Sequence, residues 1–88
     1  MKIEFDAAKD EANQAKHGVS LAAAEDVDLE GAVVFEDVRF AYGERRFIAY
    51  APLHGRLYAM CFTVRGEAIR VIGLRKANQR ERKKYERR

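Results

Sequence analysis

The chain has little of the chemistry that would tie it to a metal, a disulfide framework or a bilayer. Among its 88 residues there is one cysteine, Cys61. That excludes an internal disulfide and points to a reducing compartment. In mid-strand between Met60 and Phe62 its ordinary role is that of a small buried hydrophobe. Of the two histidines, His17 and His54, neither stands in a recognisable nucleophile motif. No cysteine pair, no His-x-x-x-His, no carboxylate cluster at ligand spacing and no glycine-rich phosphate loop occurs, so neither a metal nor a cofactor is expected. No apolar run approaches the roughly 20 residues of a membrane-spanning helix. The opening MKIEFDAAKDEANQ is charged throughout where a secretory signal has an apolar core. A cytoplasmic protein with no membrane partner is therefore expected. With no internal repeat and no low-complexity linker, the length leaves room for one small domain, residues 1–88.

What is present suits a globular protein: 48% of the residues are hydrophobic and 35% charged. The formal charge of +3 conceals an asymmetry, because residues 75–88 carry eight Lys or Arg against two Glu, a net of +6 that leaves −3 over residues 1–74. One basic end of this kind can neutralise nucleic-acid phosphates or pair with an acidic protein.

The organising stretch is Arg56–Ala77, RLYAMCFTVRGEAIRVIGLRKA. Leu57–Arg65 is rich in β-branched and aromatic residues, Gly66-Glu67 suits a two-residue turn, and Ala68–Arg75 resumes an apolar and basic alternation. A constant index sum then sets Arg65 opposite Ala68, Val64 opposite Ile69, Thr63 opposite Arg70, Phe62 opposite Val71 and Cys61 opposite Ile72. A second hairpin, Arg45–Leu53 with a His54-Gly55 turn, brings Phe47 beside Phe62 and Ala49 beside Met60 on an apolar face. On the other face Arg46, Thr63 and Arg70 form a transverse row with Arg65 close by. That row is the leading candidate for a site.

Upstream, Met1–Phe5 reads as a short edge strand and Asp6 as a helix cap. Phe5, Ala8, Ala12, Ala15 and Val19 recur at helical spacing over Ala7–Lys16, which predicts a helix burying an alanine-lined face and stopping at Gly18. The adjoining Lys9, Asn13 and Lys16 read as a solvated stripe, with His17 at the helix end. Ser20 caps a second, shorter helix to about Asp26. Ala32–Phe35 reads as a strand, and Glu36–Glu44 as a polar loop whose Phe40 and Tyr42 either stack on a base or, the commoner role, pack on a core edge. Asn78 and Glu81 form a capping box opening a basic terminal helix, Gln79 to about Glu86, with Tyr85 on the same side as Glu81. The expected fold class is α+β: an antiparallel meander sheet with two N-terminal helices and a C-terminal basic helix.

These residues resemble the BrnT toxins of bacterial type II toxin-antitoxin systems, which implies small ribonucleases of RelE-like fold. The resemblance rests on Phe5-Asp6, Lys9, Asn13 and Lys16-His17-Gly18-Val19; on Glu44-Arg45-Arg46-Phe47-Ile48-Ala49 and Gly55-Arg56; and on Phe62-Thr63, Arg65-Gly66, Ile69-Arg70-Val71-Ile72, Arg75-Lys76-Ala77, Glu81 and Tyr85. Gly73-Leu74 departs from the Ser-Ala usual in the family, and the Asp-Pro usual after the second helix is missing. The resemblance implies growth inhibition by RNA cleavage, neutralisation by a BrnA-type antitoxin, and autoregulation in which the complex reaches operator DNA through the antitoxin.

Metal-independent RNA cleavage needs a base for the 2′-hydroxyl, cations for the charge building on the phosphorane, and an acid for the 5′-oxygen. Arg70, Arg46 and Arg75 suit the second task through bidentate guanidinium geometry. His17, Glu81 and Tyr85 are the candidates for proton transfer. Each also has a plain structural role: His17 at its helix end, Glu81 in the capping box, Tyr85 covering the sheet. For the arginines the plain role is salt bridging to the acidic half. Arg65, Lys16, Lys76, Arg80 and Lys84 are the further cations expected along the RNA backbone. A non-catalytic module that only binds antitoxin or RNA is the alternative. Direct DNA binding by the terminal helix is weaker, since no helix-turn-helix pattern accompanies it.

Overall fold

The computed structural model describes residues 2–88. Met1, included above in the first strand, lies outside the described residues. Strand β1 (Lys2–Glu4) leads through Asp6 into helix α1 (Ala7–His17). The Asp6 carboxylate accepts hydrogen bonds from the N–H groups of Ala8 (2.7 Å) and Lys9 (3.3 Å), which supplies partners to donors that every helix start leaves free. Gly18 ends α1 in the left-handed region (φ 72°), its N–H donating to Gln14 O at 2.8 Å.

The face that α1 turns inward is not the alanine face. Ala8, Ala12 and Ala15 are exposed, whereas Asn13 is buried and Asp10 half-buried. The reason lies in the backbone the helix covers. The Asn13 amide donates to Leu74 O (2.8 Å) and Val19 O (2.9 Å), and its oxygen accepts from Leu74 N–H (3.2 Å). Asp10 accepts from the Ser20 hydroxyl (2.9 Å) and Leu21 N–H (2.8 Å). Leaving such groups buried without partners costs about 1–3 kcal/mol each, more than an alanine methyl returns on burial.

The predicted second helix is a 3₁₀ helix, Leu21–Asp26. Its period of three sends Leu21 and Ala24 together into the core. Then come β2 (Val33–Asp37), β3 (Arg46–Leu53), β4 (Arg56–Arg65), β5 (Ala68–Lys76) and α2 (Gln79–Glu86), in the sheet order β1-β5-β4-β3-β2. The antiparallel meander holds for β2 to β5, but β1 pairs parallel to β5, so the five-stranded sheet is mixed. β2 also runs two residues further than predicted, to Asp37.

Both turns fall where predicted, with His54 (φ 48°) and Gly55 (φ 77°) in the left-handed region. Phe47 meets Phe62 with ring centroids 5.7 Å apart, and Ala49 meets Met60. In the β4–β5 hairpin the predicted pairs hold from Arg65/Ala68 to Phe62/Val71. Cys61 then pairs with Gly73 rather than Ile72, because Ile72 is an extra residue, a β-bulge.

The inner face of the sheet packs Ala49, Met60, Phe62, Ile69, Val71 and Leu74 against Leu21 and Ala24. Each large side chain fully buried here contributes about 1.5–3 kcal/mol. Among the described residues no buried side-chain nitrogen or oxygen lacks a partner, and no helix is long and apolar enough to cross a membrane.

Candidate functional site on the open sheet face

The outer face is built in rungs across the strands. Continuing the β3–β4 register by one residue gives the first rung as Asp37, Arg46, Thr63, Arg70 and Glu4. Two arginines flank a threonine, and a carboxylate stands at each end. The next rung is Phe35, Ile48, Cys61 and Gly73, and the third is Val33, Tyr50, Ala59 and Arg75. Four residues separate the outer rungs, about 13 Å at the rise of a strand.

Helix α2 closes the third rung. Its capping box forms as expected: the Asn78 side chain accepts from Glu81 N–H (2.8 Å) and Glu81 accepts from Asn78 N–H (2.9 Å). The Glu81 carboxylate also takes both terminal nitrogens of Arg75, at 2.7 and 2.8 Å. That bidentate pair, with the Asn78 N–H, holds Glu81 below the usual carboxylate value. Cap and charge partner are thus one residue, and α2 is docked onto the arginine that its own cap orients. Buried Tyr50 stands beside the pair, its phenol pushed upward by burial and by Glu81.

Between α2 and the first rung lies a cleft of about 150 Å³, lined by His17, Arg39, Ile48, Cys61, Gly73 and Arg75. His17 reaches it because α1 runs along the β5 edge that Asn13 caps. Desolvation at the rim, then the charges of Lys16 and Arg75, push its imidazole below the usual 6.5, so at neutral pH it is an uncharged base. His54 is remote, in the β3–β4 turn and 2.9 Å from Asp26. Cys61 is half-buried on the floor rather than fully enclosed. Burial pushes its thiol up against the opposing pull of Arg46, the wrong direction for a nucleophile.

Arg46, Arg70 and Arg75 share this face, all three partly exposed and all held by acids: Arg46 by Glu44 (3.1 Å), Arg70 by Glu4 (3.8 Å) and Arg75 by Glu81. Glu44 also reaches Arg65 at 3.8 Å, which sets Arg65 at the first-rung end. Thr63 is not available to a ligand, being buried with its hydroxyl donating to Arg45 O at 2.7 Å. Other sequence candidates fall elsewhere. Tyr85 is turned away from the arginines, its hydroxyl donating to Gly31 O at 2.6 Å, where it ties α2 to the loop before β2. Lys76 pairs with Tyr58, and strand alternation puts it on the opposite side of the sheet from Arg75. Arg80 and Lys84 are exposed on α2, with the Lys84 ammonium 4.5 Å from the Phe35 ring centre. Lys16 is exposed at the end of α1.

Sequence reasoning missed Arg39. Its guanidinium is fixed by Asp37 through Nε (2.8 Å) and Nη2 (2.9 Å), and Tyr42 donates to the same carboxylate at 2.8 Å. Asp37 is the available signal: it continues the outward alternation of Val33 and Phe35, so a carboxylate falls on the sheet face and must be paired. The expectation that Phe40 packs on a core edge is also corrected. Tyr42 is half-buried, but Phe40 is 67% exposed. Among the described residues no group of three or more His, Cys, Asp or Glu is placed to hold a metal ion.

Comparison with known proteins matches this arrangement to one family. The family model for the ribonuclease toxin BrnT of type II toxin-antitoxin systems matches residues 5–81, which includes every strand of the meander and the Arg75–Glu81 pair. Among solved structures, the ribonuclease toxin BrnT of Brucella abortus superposes with a TM-score of 0.72 at 34% identity, covering 90% of this chain and 99% of that one. A comparison with curated proteins found no match. With 77 of its 88 positions inside the family model and the same mixed-sheet fold as a solved relative, the chain belongs to the BrnT family of ribonuclease toxins.

Proposed function

We propose that this chain is a metal-independent endoribonuclease of RelE-like fold which cleaves RNA in the cytoplasm and arrests growth, acting as one domain. The observation that carries the reading is the presence of Arg46, Arg70 and Arg75 on one open face, with an uncharged histidine beside Arg75 in the cleft. The arginines hold the scissile phosphate and take up the charge that builds as the 2′-oxygen attacks. His17 accepts the 2′-hydroxyl proton, its lowered pKa keeping it in the basic form. Glu81 aims Arg75. Tyr85 serves the site by fixing α2 through Gly31. Arg65 and Lys16 extend the cationic track beyond the two ends of the cleft and Arg80 and Lys84 extend it over α2, while Lys76, on the opposite side of the sheet, lies off it.

The acids now paired with these arginines are displaced or shared when a phosphate enters. The 3.8 Å contacts to Arg65 and Arg70 are the looser ones, so the first-rung end opens first. A BrnA-type antitoxin neutralises the toxin, and the complex reaches operator DNA through the antitoxin for autoregulation.

The test is incubation of the purified protein with a defined messenger RNA in EDTA, beside the same RNA carrying a 2′-deoxy residue at the cleavage position. Cutting of the first and not the second is the expected result. Cutting of neither, with binding of both, would make the chain a binding module.

A further inference from the structure

We propose that the loop between β2 and β3, Val38–Gly43, is a nucleotide subsite for single-stranded RNA, in which the Phe40 ring stacks on a base and Arg39 holds the adjoining phosphate. The proposal rests on the ribonuclease reading and extends it to residues outside the arginine rungs.

Phe40 and Val38 are 67% and 78% exposed, the two most exposed large apolar side chains among the described residues. An exposed ring on a loose loop would carry no argument, but this one is held. Its edge meets Tyr42 at a centroid distance of 5.7 Å and an interplanar angle of 72°. Tyr42 is fixed on one side by its hydrogen bond to Asp37 and on the other by the Arg46 guanidinium, 4.1 Å from its ring centre. Asp37 is the root of the assembly: its side chain is 1% exposed and lies on the first rung. The ring is therefore anchored to the sheet through two side chains, which removes much of the ordering cost a ligand would otherwise meet.

Arg39 provides the link to the cleft. Two of its nitrogens are committed to Asp37, while Nη1 has no protein partner among the described residues. Its guanidinium carbon is 5.9 Å from the Phe40 ring centre, and its side chain lines the cleft opposite Arg75. Aromatic and cation thus alternate along the loop as base and phosphate alternate along a single strand, the pattern by which unpaired RNA is held.

The chain has no tryptophan, so Phe40→Trp places a unique fluorophore in the subsite of the full-length protein. The probes are a 2′-O-methyl RNA oligonucleotide, which cannot be cleaved, and the same oligonucleotide with abasic residues. Quenching by the first and not the second is expected. With cleavable RNA, Phe40→Ala is expected to raise KM about 10- to 100-fold with kcat little changed, and Phe40→Trp to restore it. Quenching without any cleavage by the wild type would support the subsite and defeat the ribonuclease reading. Wild-type cleavage with no quenching and an unchanged Phe40→Ala variant would overturn the subsite alone. Phe40→Ala that binds RNA normally but loses its antitoxin would also overturn it, making the loop a protein interface.

Discussion

Arg70 and Arg75 lie an odd number of positions apart on one strand yet face the same side of the sheet, because Ile72 between them has no partner on β4. A regular strand would have sent Arg75 to the core side with Val71 and turned Leu74 outward. The bulge re-aims it onto the outer face, where α2 can meet it.

Removing a cation from this face affects chemistry far more than folding. Arg70 is 28% exposed and its partner Glu4 is 3.8 Å away, a pair worth at most about 1 kcal/mol. Arg70→Ala is expected to keep the wild-type circular dichroism and melting midpoint while lowering kcat about 100- to 1,000-fold. A collapse in folded yield would make the arginine structural.

The inward face of α1 predicts an inversion of the usual helix rule. Asn13→Leu, although apolar and of similar size, strands the N–H and C=O of Leu74 and is expected to cost about 3 kcal/mol in urea unfolding. Ala12→Lys or Ala15→Lys, on the face that periodicity assigns to the core, should change stability by no more than about 0.5 kcal/mol.

Tyr85→Phe removes one hydroxyl bonded to Gly31 O. The expected result is a loss of about 1 kcal/mol in stability with the pH profile of cleavage unaltered. A change in that profile would make the phenol a proton donor.

Two pH effects have opposite origins. The imidazole of His17 must be neutral to act as a base, and its pKa lies below 6.5, so kcat/KM should rise with pH through a limb below that value and be flat at neutrality. His17→Ala should remove the limb. Glu81 is held lower in the folded chain than in the unfolded, so between the two values the unfolded state binds more protons. The stability that Glu81 contributes is fully present above its ordinary carboxylate value and is lost as pH falls from there through its lower folded value. Glu81→Gln should flatten that acid slope in melts taken from pH 7 downward.

Much of this was legible in the sequence, for identifiable reasons. The two hairpins followed from turn residues and a constant index sum, since side chains in strands alternate rigidly. The terminal helix followed from a capping box that uses local atoms only. Nothing local marks Ile72 as an extra residue, and the parallel pairing of Ile3 with Ile69 depends on contacts across most of the chain. Helical periodicity misassigned α1 because it counts apolar positions, whereas Asn13 and Asp10 face inward to satisfy backbone. Arg39 escaped notice because its importance comes from Asp37, two residues earlier, at a strand end predicted too short.

The Asn13–Leu74 bonds also bear on the order in which the molecule assembles. The β2–β5 meander closes through one eight-residue loop and two tight turns, whereas the contacts of β1 and α1 with β5 join residues 61 to 66 positions apart. Such closures form late and open early. The histidine of the cleft arrives with the last unit to dock, so native-state hydrogen exchange should find amides of the arginine-bearing strands still protected under conditions where α1 has already exchanged. A nuclease built this way can lose its base while its phosphate-binding face stays folded.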